Sequence, residues 1–371
     1  MTTATLDPVL LVPTRLGGLA LPNRLAMAPM TRNRADADGV PGDLMAAYYA
    51  QRATAGLIIA EAATPNAVGL TYPNIPAIYA PAHVSGWRRV TGAVREAGGR
   101  MFLQLQHGGR IGHPDNSGLH PVAPSPVPLP DTVHTPVGPQ AAVVPREMTL
   151  DDLRATVADF ADAARNAVEA GFEGVEVHSA NGYLLHQFLS RRTNHRTDAY
   201  GGTVANRIRF TVEVTRAVAA AIGPERVGVR ISPGITANAM REDDIDDVYP
   251  ALVSALAEIS PAYLHIVHAD PGQPLFHTLR ELWPATLIAN PKLPDVTTEH
   301  VVHEAGHLLD AGADLVALGR PFLANPDLIE RLRTGEPLNP VQDQHLMYVG
   351  GATGYIDYPT LDTVRRPARS R

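Results

Sequence analysis

The sequence predicts a single (β/α)8 barrel of the TIM type. Along 371 residues, eight short apolar runs alternate with eight amphipathic helical patterns. That alternation builds a parallel sheet with crossover helices. Three of the runs also carry polar residues on one parity near their C-terminal ends, the edge where barrel sites lie. A doubly wound sheet is the structural alternative. No GxGxxG follows the first strand, which counts against its dinucleotide-binding form.

The candidate strands are 25–28, 57–61, 101–105, 174–178, 227–231, 263–267, 286–289 and 314–318. Helical patterns lie near 43–55, 82–98, 149–170, 203–221, 245–259, 274–283, 297–311 and 326–333. Residues 10–24 resemble a short hairpin ahead of the first strand, placed to plug the barrel bottom. In 101–105, Met101, Leu103 and Leu105 alternate with Phe102, Gln104 and Gln106. The stretch 107–148 is rich in Pro, Gly and His. It reads as an inserted lid or small hairpin over the mouth of one domain spanning 1–371.

The next helix shows the quality of the pattern. Thr149 with Asp152 forms a capping box, and Leu153, Val157, Phe160, Ala164 and Val168 keep helical spacing. Gly171 ends the helix. In 174–178, Val175 and Val177 face one way while Glu176 and His178 face the other. In 227–231, Val229 and Ile231 alternate with Arg230 and Ser232. Strands covered on both faces tolerate a polar parity only if it is bonded or used. His178, with Asn181 and Tyr183 on the loop after it, is a set that can grip an oxygen and deliver a proton. Polar groups converging from three strands point to a ligand site.

Composition narrows the function. The chain is 45% hydrophobic and 19% charged, with formal net charge −7 and pI about 6.1. No basic run suits a nucleic acid, no apolar run is long enough for a membrane, and no secretory leader pattern opens the chain. The expectation is a cytoplasmic protein, monomeric or homodimeric. There is no cysteine, which excludes disulfides, thiolate metal sites and iron–sulfur clusters. Lys292 is the only lysine. We see no internal repeat.

Seven motifs then carry a resemblance. NRLAMAPMTRNRA (23–35), QLQHGGR (104–110), HSANGYLLHQFLS (178–190), YGGTVANRIRF (200–210), VRISP (229–233), LGRPFLANPDL (318–328) and GYIDYP (354–359) occur in this order. They are similar to the old yellow enzyme family over about residues 8 to 360. The resemblance implies tightly, non-covalently bound FMN, with NADPH or NADH as reductant, and reduction of activated alkenes: enones, enals, maleimides or nitroalkenes. It implies that Pro29, Met30 and Thr31 lie at the flavin ring, with Ala63 and Gln104 on its pyrimidine side and Arg230 beside N1 and O2. His178 and Asn181 bind the substrate oxygen and Tyr183 gives the proton. Tyr72, Gln106 and Tyr355 line the substrate pocket. Gly319 and Arg320 hold the phosphate.

The residues agree with this chemistry at several points. A barrel binds phosphate through the loops after its seventh and eighth strands, and Gly319–Arg320 follows the eighth. A guanidinium is always charged and favours an electron-rich reduced flavin. Tyr183 is protonated at pH 7 and can act as an acid. Three departures matter. Gln106 stands where the family usually has an aromatic, often Trp, which makes the pocket wider or more polar. The strand after RISP continues as GITANAM rather than with the usual Phe-Asn pattern. Asn290-Pro291-Lys292 replaces a glycine-containing loop, and Pro291 has no N–H for a phosphate. Lys292 can supply a charge there.

Competing signals weigh less. His303-Glu304-Ala305-Gly306-His307 matches the HExxH zinc pattern, but it falls on the seventh outer helix with no third ligand in sight. We expect no metal. Lys292 alone suits a Schiff-base aldolase, which leaves Arg230, Gln104 and Gly319–Arg320 without a shared role. A non-catalytic flavin carrier has no use for His178, Asn181 and Tyr183 together. His195, His265 and His268 read as packing or surface residues.

Overall fold

The computed structural model describes residues 8–365. The ends of the 1–371 unit therefore lie outside the described residues. Eight strands close into a barrel with parallel pairing throughout. They are β1 (Leu25–Met27), β2 (Leu57–Ala63), β3 (Met101–Leu105), β4 (Gly174–Ser179), β5 (Val227–Ile231), β6 (Tyr263–Val267), β7 (Thr286–Asn290) and β8 (Leu315–Leu318). The outer helices are α1 (Asp43–Ala50), α2 (Pro81–Glu96), α3 (Leu150–Glu169), α4 (Val204–Ile222), α5 (Ile245–Ala257), α6 (Pro274–Leu282), α7 (Thr298–Asp310) and α8 (Leu328–Thr334). No helix among the described residues is long and apolar enough to cross a membrane.

Two elements differ from the sequence pattern. The 43–55 pattern yields a helix only to Ala50, because the chain turns so that Gly56 N–H can reach the Leu25 carbonyl at 2.8 Å and open β2. β2 runs on to Ala63, and its pairing with β3 shifts between Ala60 and Ala63. The α3 cap is as expected. Thr149 Oγ1 accepts from Asp152 N–H at 3.1 Å, and the Asp152 carboxylate accepts from Thr149 N–H at 2.7 Å. The hydrogen bond from Arg146, helped by the two from Thr149, holds the Asp152 carboxyl below the usual range.

The barrel is sealed below. Leu16 and Leu21, from the hairpin Thr14–Leu16 with Leu19–Leu21, pack with Leu57, Phe102, Tyr263 and Leu315. Two glycines make room for this floor. A Cβ on Gly174 would come within 2.5 Å of the Phe102 ring, and one on Gly228 within 2.0 Å of the Tyr263 ring. The floor aromatics on β3 and β6 therefore depend on bare positions on β4 and β5. Above the floor the inward side chains turn polar: Gln104, Glu176, His178, Arg230, His265 and Asn290.

The excursion after β3 contains the short helix Pro114–Ser117 and an antiparallel hairpin, Thr132–Thr135 with Gly138–Ala141. A two-residue parallel pairing of Val122–Ala123 with Arg146–Glu147 closes it. Arg110 ties it to the loop after β5, donating to the carbonyls of Asn238 at 2.9 Å and Ala239 at 3.3 Å.

A second polar cluster sits outside the strands, between β1, α1, β2 and the C-terminal segment. Tyr48 and Tyr355 stack at 4.2 Å, with Arg32 and Arg34 against Tyr355 and Arg52 against Tyr48. Arg32 donates to the carbonyls of Met347 and Gly354, and Arg34 to those of Leu346 and Val349. Beside them, buried Glu61 accepts from the Arg32 N–H at 3.1 Å and the Tyr49 hydroxyl at 3.2 Å. Burial pushes its carboxyl from the usual 4.5 to about 7, against these hydrogen bonds and the arginine charges.

The folded state thus favours protonated Glu61. Its contribution to stability is full below about pH 4.5 and is lost as pH rises through about 7. Glu61→Gln should remove this dependence. Urea unfolding at pH 5 and pH 8 should show the variant gaining on the parent by up to about 3 kcal/mol at the higher pH. A constant difference across that range would mean that Glu61 does not titrate there.

Candidate active site

The site gathers at the C-terminal ends of the strands. Parallel register sets Arg230 between His178 on β4 and His265 on β6. His178 is 3% exposed, and its Nδ1 has no hydrogen-bond partner among the described residues. Burial, reinforced by the Arg230 charge and by His186 and His265, pushes its imidazole well below the usual range. It is neutral at physiological pH and keeps one N–H to donate.

The chain then turns sharply. Asn181 adopts a left-handed φ of 54°, which asparagine tolerates better than most residues. Its backbone is pinned on both sides: Asn181 N–H donates to Ser232 Oγ at 2.8 Å, and its carbonyl accepts from Asn238 Nδ2 at 2.7 Å. The Asn181 side-chain amide has no hydrogen-bond partner among the described residues. Tyr183 follows directly before the helix Leu184–Leu189, its ring 5.1 Å from His178. The Tyr183 and Tyr72 hydroxyls lie 3.3 Å apart. Burial raises both phenols, so both stay protonated through neutral pH. Tyr72 also lines a cavity of about 420 Å³ under the 132–135 strand, with Leu129, His134, Asn238 and Ala239 among its walls.

On the opposite side of the mouth, Gly319 follows β8 and leaves no room to spare, since a Cβ there would lie 3.3 Å from the Met30 sulfur. Arg320 is exposed and donates to the Leu293 carbonyl at 2.8 Å. Lys292 is also exposed. Burial lowers the His268 imidazole, and the charges of Lys292, Arg230 and Arg320 lower it further, so these groups share one basic corner. Pro29 and Ala63 are buried, and Met30 and Thr31 are half-buried at the end of β1.

The structure therefore brings together most of the residues singled out in the sequence, with one correction. Tyr355 does not line a pocket. It has no exposed surface, because its ring is stacked on Tyr48 and covered by two arginines. Gln106 is buried and its amide donates to Thr71 Oγ1 at 3.1 Å, which puts a polar group where the family usually has an aromatic. Of the histidines set aside, His195 and His268 are exposed, whereas His265 is fully buried and bonded to Glu176 at 2.8 Å. Sequence reasoning missed Asn290, which accepts from Arg230 Nη2 at 3.0 Å, and Asn238. The alternation of Ile288 with Asn290 could have revealed the first. The second lies within the GITANAM departure, but nothing in that stretch singled out Asn238.

A closed barrel whose mouth offers a neutral imidazole, a buried guanidinium, two protonated phenols and a basic corner after β8 defines an oxidoreductase of the flavin-nucleotide class. The orphaned Arg230 Nε and His178 Nδ1, the exposed cations and the close Gly319–Met30 approach fit FMN. The chain belongs to the NADH:flavin oxidoreductase / NADH oxidase family, whose model matches residues 9–339. FMN is the cofactor of that family, with a nicotinamide nucleotide as reductant.

The relatives cover nearly the whole chain. A probable flavin mononucleotide-dependent alkene reductase of Leishmania infantum is 40% identical over 366 residues, 95% of this chain and 98% of its own. The 12-oxophytodienoate reductase 1 of Oryza sativa subsp. japonica is 36% identical, covering 97% of this chain and 95% of its own. Among solved structures, the old yellow enzyme homologue of Zymomonas mobilis superposes with a TM-score of 0.90 at 40% identity, covering 95% of this chain and 99% of its own. Morphinone reductase in complex with tetrahydroNAD gives 0.89 at 40% identity, over 98% of this chain and 100% of its own.

The HExxH segment lies on α7, with His303 and His307 exposed on the outer ring. No group of three or more possible metal ligands occurs among the described residues. Exhaustive chelation should leave turnover and melting temperature unchanged. Loss of either that zinc restores would revive the metal reading.

Proposed function

We propose that this chain is an ene-reductase. In this reading it uses NADPH or NADH to reduce activated alkenes such as enones, enals, maleimides and nitroalkenes. The relatives named for alkene and oxophytodienoate reduction support the reaction class. The single observation that carries the mechanism is the pairing of an unbonded neutral His178 with a protonated Tyr183 whose ring lies 5.1 Å away.

FMN, when bound, supplies the hydride chemistry, from the nicotinamide to the β-carbon of the alkene. Pro29, Met30, Thr31, Ala63, Gln104 and Arg230 would hold its ring. Gly319, Arg320 and Lys292 would hold its phosphate. The protein's own part is placement and charge. His178 and the free amide of Asn181 donate hydrogen bonds to the carbonyl or nitro oxygen of the substrate. This draws electron density from the double bond and makes the β-carbon electrophilic. Tyr183 then transfers its hydroxyl proton to the α-carbon, and the neighbouring Tyr72 hydroxyl stabilises the phenolate that is left. The 107–148 excursion covers the mouth and keeps water away.

The decisive test is Tyr183→Phe, followed by stopped flow in both half-reactions. Flavin reduction by NAD(P)H should be nearly unchanged. Enone reduction should slow by roughly 10²–10⁴, the usual worth of a general acid. Equal losses in both half-reactions would remove Tyr183 from the proton-donor role. Because burial lowers His178 and raises Tyr183, the oxidative half-reaction should be flat from about pH 7 to 9. For Lys292, titration of apoprotein with FMN and with riboflavin is informative. Lys292→Met should weaken FMN about 10- to 100-fold and leave riboflavin unaffected. Equal losses for both ligands would exclude a phosphate contact.

A further inference from the structure

Beneath the proposed flavin seat lies a polar layer in which Gln104 and Arg230 meet Glu176, His265 and Asn290, groups that the reaction scheme does not use. Glu176 on β4 has a fully buried side chain. Its Oε1 accepts from Gln104 Nε2 at 2.7 Å, and its Oε2 accepts from His265 Nδ1 at 2.8 Å. Next to it, Arg230 Nη2 donates to Asn290 Oδ1 at 3.0 Å, and Asn290 Nδ2 donates to the Ala317 carbonyl at 2.9 Å. The layer thus crosses the barrel interior from β3 to β8. Two of its buried nitrogens, Arg230 Nε and His265 Nε2, have no partner among the described residues.

The chemistry of the partners fixes several orientations. An ionised carboxylate only accepts, so Gln104 must offer its NH₂ to Glu176, which leaves its carbonyl oxygen free. For the same reason His265 must carry a proton on Nδ1. Burial alone would raise the Glu176 carboxyl, but the His265 contact, Arg230 and Gln104 together pull it below the usual range. Burial lowers the His265 imidazole, Arg230 adds to this, and Glu176 only partly offsets it. His265 is therefore neutral, and the carboxylate charge is left facing Arg230. The phenol of Tyr263, raised first by burial, adds no charge.

We infer that Glu176 is a positioning residue that sets the polarity of the flavin seat: it turns the Gln104 carbonyl outward and is the fixed negative charge that offsets Arg230. The inference rests on the reading in which Gln104 and Arg230 flank the pyrimidine side of FMN. A guanidinium stabilises reduced, electron-rich flavin, and a nearby carboxylate opposes it. Glu176 therefore holds the cofactor more reducing than Arg230 alone would.

The test is the midpoint potential of FMN in the holoprotein, with folding checked by thermal melting. Glu176→Gln keeps the volume and removes the charge. It should favour reduced over oxidised FMN by tenfold or more, an upward shift of about 30 mV for a two-electron couple. Glu176→Asp and His265→Gln leave a carboxylate in place and should hold that ratio within about twofold. A purely structural role would instead lower the melting temperature of all three variants without this ordering. Arg230→Leu separates the layers of the argument and should shift the ratio the opposite way. If it does so while Glu176→Gln does nothing, the inference fails and the flavin seat stands. If neither moves the potential, the seat itself is misplaced. Should Glu176→Gln not fold, a tenfold shift in Glu176→Asp or His265→Gln still overturns the inference.

Discussion

Everything above the barrel floor depends on how a closed barrel treats a buried charge. The strands exhaust one another's backbone groups, and the plug of Leu16 and Leu21 with the floor aromatics shuts out water from below. A carboxylate such as Glu176 can stay ionised there only if donors surround it, and Gln104 and His265 supply them. Once those donors are taken, the remaining polarity of the layer points towards the mouth. Arg230 is held by Asn290, and His178 is held by nothing among the described residues. The same constraint that stabilises the interior thus leaves Arg230 Nε and His178 Nδ1 without partners among the described residues.

Arginine plays a second part away from the mouth. Arg32, Arg34, Arg52, Arg110, Arg196 and Arg331 are all buried, and each donates to backbone carbonyls of distant segments. A planar fork with five donors can satisfy several carbonyls at once, which an ammonium on a flexible stem does poorly. These residues fasten the C-terminal segment and the long excursion to the barrel. The Tyr48–Tyr355 stack belongs to this fastening, which is why Tyr355 is sealed inside it.

The loop after β5 carries strained backbone at the mouth. Asn238 and Ala239 both have φ near 53°, an uncommon pairing for residues other than glycine. Arg110 holds their carbonyls, and Asn238 in turn holds the Asn181 carbonyl. The wall of the 420 Å³ cavity beside Tyr72 and the substrate-facing loop after β4 are therefore coupled through one asparagine. The GITANAM departure from the family pattern falls on this turn.

The sequence by itself determined the barrel and the strand ends that build its mouth. Inward and outward positions alternate with period two, so Gln104, Glu176, His178 and Arg230 declare their parity without coordinates. The Thr149 capping box is equally local, being made within four residues. Tertiary structure alone decided who meets whom. The Glu176–His265 contact spans 89 residues and the Arg32–Gly354 contact 322. Such pairings depend on barrel closure and register, which no short window contains. Tyr355 shows the limit: its motif marks a tyrosine near the mouth, but only packing against Tyr48, Arg32 and Arg34 removes it from the pocket. The elevated carboxyl of Glu61 is likewise a product of burial, and burial belongs to the assembled fold rather than to the residue.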